Sequence, residues 1–156
     1  MTKYLTNNFS IVNLHRKPSN KSEIVTQMIY GDSFTLTKKT KKWLKVKIKE
    51  DNYKGYIINK KFPQYIKSSH KIAILKAKVY KFPNKRYEIN KLTFGSKIKV
   101  LDKKANFLKF EKGWISSKNI KPPWCLIVST HPLRSFTFSL FFNFDKSEIS
   151  IINLIP

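Results

Sequence analysis

Residues 43–58 decide the fold, and they read WLKVKIKEDNYKGYII. In the first six of these residues apolar and polar side chains alternate, so the aliphatic side chains share one face and the lysines and Trp43 share the other. Alternation with a period of two is typical of a β-strand that is buried on one side. The polar run at residues 50–52 is a turn signal, and a second strand-like run follows it. The stretch therefore predicts a β-hairpin.

Short strand-like runs separated by turn signals also precede this hairpin. The runs cover residues 11–14, 24–30 and 33–37, and the turns lie at residues 16–20 and at Gly31. None of the runs has the 3.6-residue period of an amphipathic helix. Five short strands in about fifty residues predict a small β-barrel over residues 10–62.

The plan of the first barrel repeats over residues 70–120. Gly31 aligns with Gly95, and an aromatic residue follows twelve positions later in each copy: Trp43 in the first and Phe107 in the second. The motif GYI at residues 55–57 matches GWI at residues 113–115, although fewer residues separate it from the preceding aromatic residue. The repeat predicts a second barrel with a shortened hairpin, joined to the first by a linker at residues 60–69.

Residues 122–156 differ in composition from the rest of the chain. Of the 32 Lys and Arg residues, this segment holds only Arg134 and Lys146, and it is rich in Phe, Ser, Ile and Leu. Such a break fits out-of-frame translation after a deletion, and it equally fits a genuine apolar segment that docks on a barrel. We treat the segment as a divergent apolar tail with both origins open.

The charge balance is strongly basic, with a formal net charge of +23 from 32 Lys and Arg against 9 Asp and Glu. Nucleic acid, an anionic membrane and an acidic polymer are the partners that such a balance suggests. The codon bias of an A/T-rich genome would also enrich Lys, Ile and Asn without any ligand. Readout of base edges favours Arg, and this chain has three arginines, Arg16, Arg86 and Arg134.

Targeting and membrane signals are absent from the amino-acid sequence. The first eight residues, MTKYLTNN, include no apolar core of a secretory signal. No stretch reaches the ~18 apolar residues that a membrane span needs. The single cysteine, Cys125, cannot form an internal disulfide. We therefore expect a soluble cytoplasmic protein.

Two runs in the first copy resemble a known bacterial family. Residues 22–32 read SEIVTQMIYGD, and residues 51–57 read DNYKGYI. Together they are similar to the bacterial SH3 domain that precedes the catalytic domain in NlpC/P60-type cysteine peptidases. Residues 10–58 carry the resemblance strongly, and the second copy resembles the companion SH3-like domain more weakly. The resemblance implies an all-β chain of two tandem SH3-like five-stranded small barrels followed by an irregular C-terminal tail.

The same resemblance implies a cell-wall ligand. Enzymes of the family cleave stem peptides of the bacterial cell wall, typically next to D-glutamate, and their SH3-like domains flank the substrate cleft and help to select the peptide end. We therefore expect a non-catalytic module that binds or targets peptidoglycan stem peptides and represents the SH3-like part of a truncated peptidase. The partner would be a cell-wall-derived peptide.

The catalytic pattern of the family does not match this sequence. The family's nucleophile lies in an Asp-Cys-Ser context, whereas Cys125 lies in PWCL, and 31 residues follow it where a catalytic domain needs roughly a hundred. His131 is close in sequence, but a nucleophile and its base are brought together by a fold. With one Cys and three scattered His, we also expect no metal site and no cofactor. The chain is therefore predicted not to be an enzyme.

Four residues of the hairpin are the predicted ligand-binding residues: Trp43, Tyr53, Gly55 and Tyr56. Trp43 on the outward face would form the floor of a peptide groove and Tyr56 its wall, and Gly55 would let a ligand backbone approach closely. The other interpretation is that these aromatic residues close the open ends of the barrel.

Two other functions stay open. Small basic β-barrels with exposed aromatic residues also bind single-stranded nucleic acid, and a steep dependence of a gel shift on salt concentration would favour that function. A nonfunctional truncated product is the third interpretation.

Overall fold

The computed structural model describes residues 3–122, and this part of the chain is all-β, as the sequence predicts. It includes no α-helix, and its helical content is one 3-10 turn at Ser117–Asn119. No helix within residues 3–122 is long and apolar enough to cross a membrane. Cys125, His131 and the tail, apart from Pro122, lie outside the described residues.

The first copy folds into one antiparallel sheet in the order β1-β4-β5-β6-β2-β3. Its strands are Tyr4–Thr6 (β1), Ile11–His15 (β2), Ile24–Ile29 (β3), Ser33–Lys39 (β4), Trp43–Ile48 (β5) and Lys54–Ile58 (β6). Strand β1 lies before the segment in which the sequence pattern indicates strands, and it pairs with β4. The expected linker runs beside β1, since Thr6 N–H donates to the Pro63 carbonyl and Tyr65 N–H donates to the Tyr4 carbonyl, each at 3.0 Å.

The second copy forms two antiparallel sheets, β10-β7-β14 and β11-β12-β13-β8-β9. Its strands are His70–Ile72 (β7), Lys76–Tyr80 (β8), Glu88–Thr93 (β9), Lys97–Ile98 (β10), Asp102–Lys104 (β11), Phe107–Phe110 (β12), Gly113–Ser116 (β13) and Ile120–Lys121 (β14). Two residues, Glu111 and Lys112, connect β12 to β13, where five residues connect β5 to β6. The second hairpin is therefore the shorter one.

Each copy encloses its own apolar core. The first core consists of Leu14, Met28, Phe34, Leu44, Val46, Ile48 and Ile57. Its β5 members are the aliphatic residues of the alternating stretch, and Trp43, Lys45 and Lys47 are half-buried on the other face. The second core consists of Ile72, Ala77, Val79, Leu92, Ile98, Phe110, Ile115, Ile120 and one residue from the first copy, Tyr30.

Tyr30 follows β3 and crosses into the second core. Its ring meets the Phe110 ring edge to face, with 5.7 Å between centroids. Its hydroxyl donates a hydrogen bond to a Glu111 carboxylate oxygen at 3.4 Å. Burial, together with the negative charge of Glu111, raises the pKa of the Tyr30 phenol above its ordinary value. The second core is therefore complete only with a side chain from the first copy.

The two copies also meet backbone to backbone at Gly31. Lys97 N–H donates to the Tyr30 carbonyl at 2.8 Å, and a Cβ atom added at Gly31 would lie 2.1 Å from the Lys97 carbonyl oxygen. Gly31 has a φ of +86°, and its counterpart Gly95 has a φ of +80°. The side chain of Lys97 reaches back to the first copy and forms ion pairs with Asp32, at 3.1 Å, and with Glu50.

Candidate functional site

The outward face of the β5–β6 hairpin brings two of the predicted site residues together. Trp43 begins β5 and is half-buried, and Tyr56 lies directly opposite Lys45 in the β5–β6 register. The Lys45 ammonium lies 5.8 Å from the centroid of the Tyr56 ring, within the range of a cation–π contact. The hairpin therefore presents an indole, a phenol and an ammonium group on the face away from the core.

His15 belongs to the same face, although it lies just beyond the run 11–14 in which the sequence pattern indicates a strand. It is the last residue of β2, and the β2–β3 register shifts between Leu14 and His15. Successive side chains of a strand point to opposite faces, so Leu14 fills the core while His15 lies opposite Tyr56. The His15 and Trp43 rings meet edge to face, with 5.5 Å between centroids. We call His15, Trp43 and Tyr56 the aromatic face.

The tautomer of His15 follows from its hydrogen bond. Its Nδ1 lies 3.0 Å from the Ser22 carbonyl oxygen, and a carbonyl oxygen only accepts, so Nδ1 is the donor. In the neutral imidazole Nε2 then acts as an acceptor. The bond also fixes the ring that supports Trp43.

A surface groove adjoins the aromatic face. Its volume is about 300 Å³ and it is lined by Ile11, Val12, Asn13, His15, Ile58 and Lys60. Ile58 is the direct cross-strand neighbour of Trp43, and His15 belongs to both the groove and the aromatic face. The aromatic side chains therefore border a concave surface of the first barrel.

The other two predicted site residues lie elsewhere on the hairpin. Gly55 is buried opposite Val46, and a Cβ atom there would lie 3.1 Å from Leu14 Cβ, so its close neighbour is strand β2. Tyr53 is 47% exposed in the hairpin loop, and its carbonyl accepts from Ile48 N–H at 2.9 Å. The length of β5 separates it from Trp43 by roughly 17 Å, at ~3.3 Å per residue.

The second copy has an equivalent aromatic group. Tyr80 follows a register shift in β8, lies opposite Trp114, and meets the Phe107 ring with 5.9 Å between centroids. The Lys109 ammonium lies 5.8 Å from the Trp114 ring. Tyr80, Phe107 and Trp114 thus correspond to His15, Trp43 and Tyr56, respectively. His15 and Tyr80 are the members of the repeat that the sequence comparison missed.

Positive charge surrounds the aromatic face. Lys38 lies directly opposite Lys45, and Lys47 lies directly opposite Lys54. Like charges at directly opposite positions destabilise a sheet. Within residues 3–122, none of these four lysines has a carboxylate within 4.0 Å. The face therefore favours an acidic ligand over a basic one.

Residues 3–122 include no group of three or more His, Cys, Asp or Glu side chains that would hold a metal ion. The aromatic face offers an imidazole nitrogen, two aromatic rings and lysine ammonium groups. These groups can bind a ligand by stacking, hydrogen bonding and charge.

Comparison with known proteins identifies the first barrel. The family model of the bacterial dipeptidyl-peptidase SH3 domain matches residues 14–61. This match runs from the core residue Leu14 to the end of the hairpin and includes Trp43, Tyr53, Gly55 and Tyr56. No curated protein sequence matches the chain.

A solved structure shares the fold. An NlpC/P60 family protein from Bacillus cereus superposes with a TM-score of 0.59 at 14% identity, and the match covers 76% of this chain and 55% of that one. NlpC2 and NlpC1 from Trichomonas vaginalis match with TM-scores of 0.33 at 12% and 11% identity, covering 79% of this chain and 48% and 46% of theirs. This chain thus spans about half the length of these proteins. Residues 14–61 thus match the bacterial dipeptidyl-peptidase SH3 domain, in line with the SH3-like motifs of the sequence, and the chain shares its fold with an NlpC/P60 family protein.

Proposed function

We propose that the first barrel is a non-catalytic module that binds peptidoglycan stem peptides on its aromatic face. Peptidoglycan binding is what membership of this domain family implies. The proposal extends to the whole chain as the SH3-like part of an NlpC/P60-type peptidase. Stem peptides carry carboxylates, and the lysines around the aromatic face attract them.

The observation that carries the proposal is the position of Trp43. The core beneath it is closed without it, because Leu44, Val46 and Ile57 are at most 3% exposed on the opposite face. Trp43 is held by His15 at 5.5 Å and remains half-exposed beside the groove. A rigid indole in such a place offers a large apolar surface and a free N–H donor at little cost in conformational entropy.

Tyr53 takes part if the peptide lies along the hairpin. An extended peptide of about five residues spans the roughly 17 Å between Trp43 and Tyr53. Gly55 would contribute indirectly in this arrangement, because it lets β6 pack closely on Leu14 and so places Tyr56 beside His15. Binding in a shallow groove of this size is expected to be weak, with a dissociation constant between about 1 μM and 1 mM.

An NMR titration of the full chain with a D-glutamate-containing stem peptide at two ionic strengths tests the proposal. We expect shifts at Trp43, Tyr56 and His15 that weaken as the salt concentration rises. Trp43→Ala should remove the response of the first barrel, and Phe107→Ala, its counterpart in the second copy, should leave that response intact. A folded Trp43→Ala variant with an unchanged response would contradict the proposal.

Three further expectations belong to the same proposal. Residues 10–62 and 70–120 act as two domains, which the crossing of Tyr30 joins. The chain performs no hydrolysis of its own. The protein is located in the cytoplasm, and cell fractionation tests this location.

A further inference from the structure

A cleft between the two copies contains two adjoining cavities. One has a volume of about 350 Å³ and the other about 370 Å³. Both are bounded by Gly31, Ile66, Ser68 and Lys97, so they lie on either side of the joint between the copies. Each reaches the ~300 Å³ at which small-molecule sites begin, and such sites often lie between domains.

Two lysines of a row of three, Lys71 and Lys97, line this cleft. In the sheet β10-β7-β14, Lys71 lies directly opposite Lys97 on one side and directly opposite Lys121 on the other. Like charges so placed destabilise a sheet unless a counter-charge lies near them. Asp32 and Glu50 neutralise Lys97. Within the described residues, Lys71 and Lys121 have no carboxylate within 4.0 Å.

The second cavity is lined by positively charged side chains. Lys71 and Lys49 both line it. The Lys49 ammonium lies 4.9 Å from the ring centroids of both Tyr4 and Tyr65, which hold it in place. Glu50 is the carboxylate at this cavity, and it is already paired with Lys97. An anion in the second cavity would therefore meet two ammonium groups and relieve the repulsion within the lysine row.

The first cavity is apolar and open to an incoming side chain. Its walls include Tyr30, Pro63, Ile66 and Leu101. Leu101 is 58% exposed and Ile66 is 37% exposed, so both leave apolar surface for a ligand to cover. Asn8 also lines this cavity, and its buried Oδ1 accepts no hydrogen bond within the described residues. A ligand that carries N–H groups would supply the missing donor.

We propose that this cleft binds a short acidic peptide, with a carboxylate between Lys71 and Lys49 and an apolar side chain against Ile66 and Leu101. Three features favour a peptide: the two ammonium groups, the apolar wall and the unpaired acceptor of Asn8. A fatty acid would satisfy the first two and offers no donor to Asn8. The cleft is separate from the aromatic face, so its occupancy does not depend on the function proposed for that face.

The test uses the ¹⁵N-labelled full chain and two probes. N-acetyl-leucyl-glutamate with a free terminal carboxylate is the ligand probe, and N-acetyl-leucyl-glutamine amide is its uncharged counterpart. We expect the acidic probe to shift Ser68, Lys71 and Leu101, and the uncharged probe to bind roughly tenfold more weakly, as expected when a charged hydrogen bond is lost.

The variant Lys71→Glu should change the affinity for the acidic probe and the stability of the protein in opposite directions. It places a carboxylate between Lys97 and Lys121, so the melting temperature should rise while affinity for the acidic probe falls by roughly tenfold or more. Lys76→Glu is the matched control, because Lys76 is an exposed strand residue opposite Thr93 and does not line the cleft. If Lys71→Glu fails to fold, Lys71→Gln replaces it, with weaker binding as the expected result.

Four results would overturn the proposal. They are equal affinity for the two probes, unchanged affinity in a folded Lys71 variant, equal loss in Lys76→Glu, and shifts confined to the aromatic face. Binding of decanoate in the cleft with the affinity of the acidic peptide would show that the site accepts amphiphilic anions in general, and would overturn the assignment to a peptide. Because Trp43 does not line the cleft, loss of the stem-peptide response in Trp43→Ala would support the function proposed for the aromatic face and leave this test unaffected.

Discussion

The ring of Tyr30 meets the ring of Phe110 edge to face at 5.7 Å, although the two residues come from different copies of the repeat. Tyr30 is 6% exposed and belongs to the buried cluster of the second copy. Removal of its side chain would leave a cavity among residues that lie 42 to 90 positions later in the chain. The stability of the second copy is therefore coupled to the folding of the first.

Tyr30→Ala should lower the free energy of unfolding by about 3–5 kcal/mol, the range for truncation of a buried aromatic side chain. Urea denaturation followed by circular dichroism and by tryptophan fluorescence measures the change. Tyr56→Ala on the aromatic face is the control, and its effect should be smaller because Tyr56 is not part of a buried cluster. A loss of stability in Tyr30→Ala no larger than in this control would contradict the coupling.

The Tyr30 phenol should make stability depend on pH in the alkaline range. In the unfolded chain its pKa is the ordinary value of 10.0, whereas burial and the charge of Glu111 raise the pKa in the folded protein. Above pH 10 the unfolded chain therefore loses a proton that the folded protein retains, so stability falls as pH rises. Below pH 10 the contribution is fully present.

Comparison with Tyr30→Phe isolates this effect. The difference in unfolding free energy between the native protein and Tyr30→Phe should fall by up to about 1.4 kcal/mol per pH unit above pH ~10. Urea titrations at several pH values between about 8 and 11 measure it. Glu111→Gln should lower the pH at which this decline levels off, since it removes the second cause of the raised pKa in the folded protein. A difference that stays constant across this range would refute the assignment.

Alanine substitutions at Gly31 and Gly95 distinguish the cost of backbone strain from the cost of a steric clash. Gly31→Ala and Gly95→Ala both place a Cβ at a positive φ, at a cost of about 1–2 kcal/mol each. At Gly95 the nearest atom to the new Cβ is Ile29 Cδ1 at 3.4 Å, whereas at Gly31 the Lys97 carbonyl oxygen lies at 2.1 Å. We expect Gly31→Ala to cost a further ~1–3 kcal/mol, measured by thermal denaturation, because the joint must open. Equal costs would mean that the close approach is unimportant.

The chain should not cleave stem peptides. Cys125 has no Asp before it and no Ser after it, in contrast to the nucleophile of the peptidases that the sequence resembles. Incubation of a D-glutamate-containing stem peptide with purified protein, followed by mass spectrometry, should show intact peptide. Turnover that disappears in Cys125→Ala would instead assign catalysis to this chain.

Local patterns in the sequence predict the parts of the fold that local physics determines. Alternation from Trp43 to Ile48 gives the bounds of β5 and its core face, because a strand places successive side chains on opposite sides. Gly31 and Gly95 mark turns because both adopt the left-handed conformation that glycine tolerates. The same alternation places Trp43 outside the core, as expected.

Local sequence patterns do not predict contacts between residues that are far apart in the chain. Tyr30 ends an apolar run that reads as part of the first core, and only the second copy shows where its ring packs. His15 faces outward because it follows the core residue Leu14 in β2, and it lies one residue beyond the run 11–14 that the sequence pattern marks as a strand. Tyr53 was grouped with Trp43 because they flank one hairpin, although they lie at its opposite ends.

Because the two copies approach each other closely at Gly31, one copy of the repeat is not a segment that can be excised on its own. If the chain were cut at the linker, the Tyr30 ring of the first copy would lose its buried packing, and the core of the second copy would contain a cavity. Transfer of either copy into another protein as a self-contained cassette would need a graft of residues 30–32 or a small residue in place of Tyr30. The two copies are therefore interdependent parts of one folding unit.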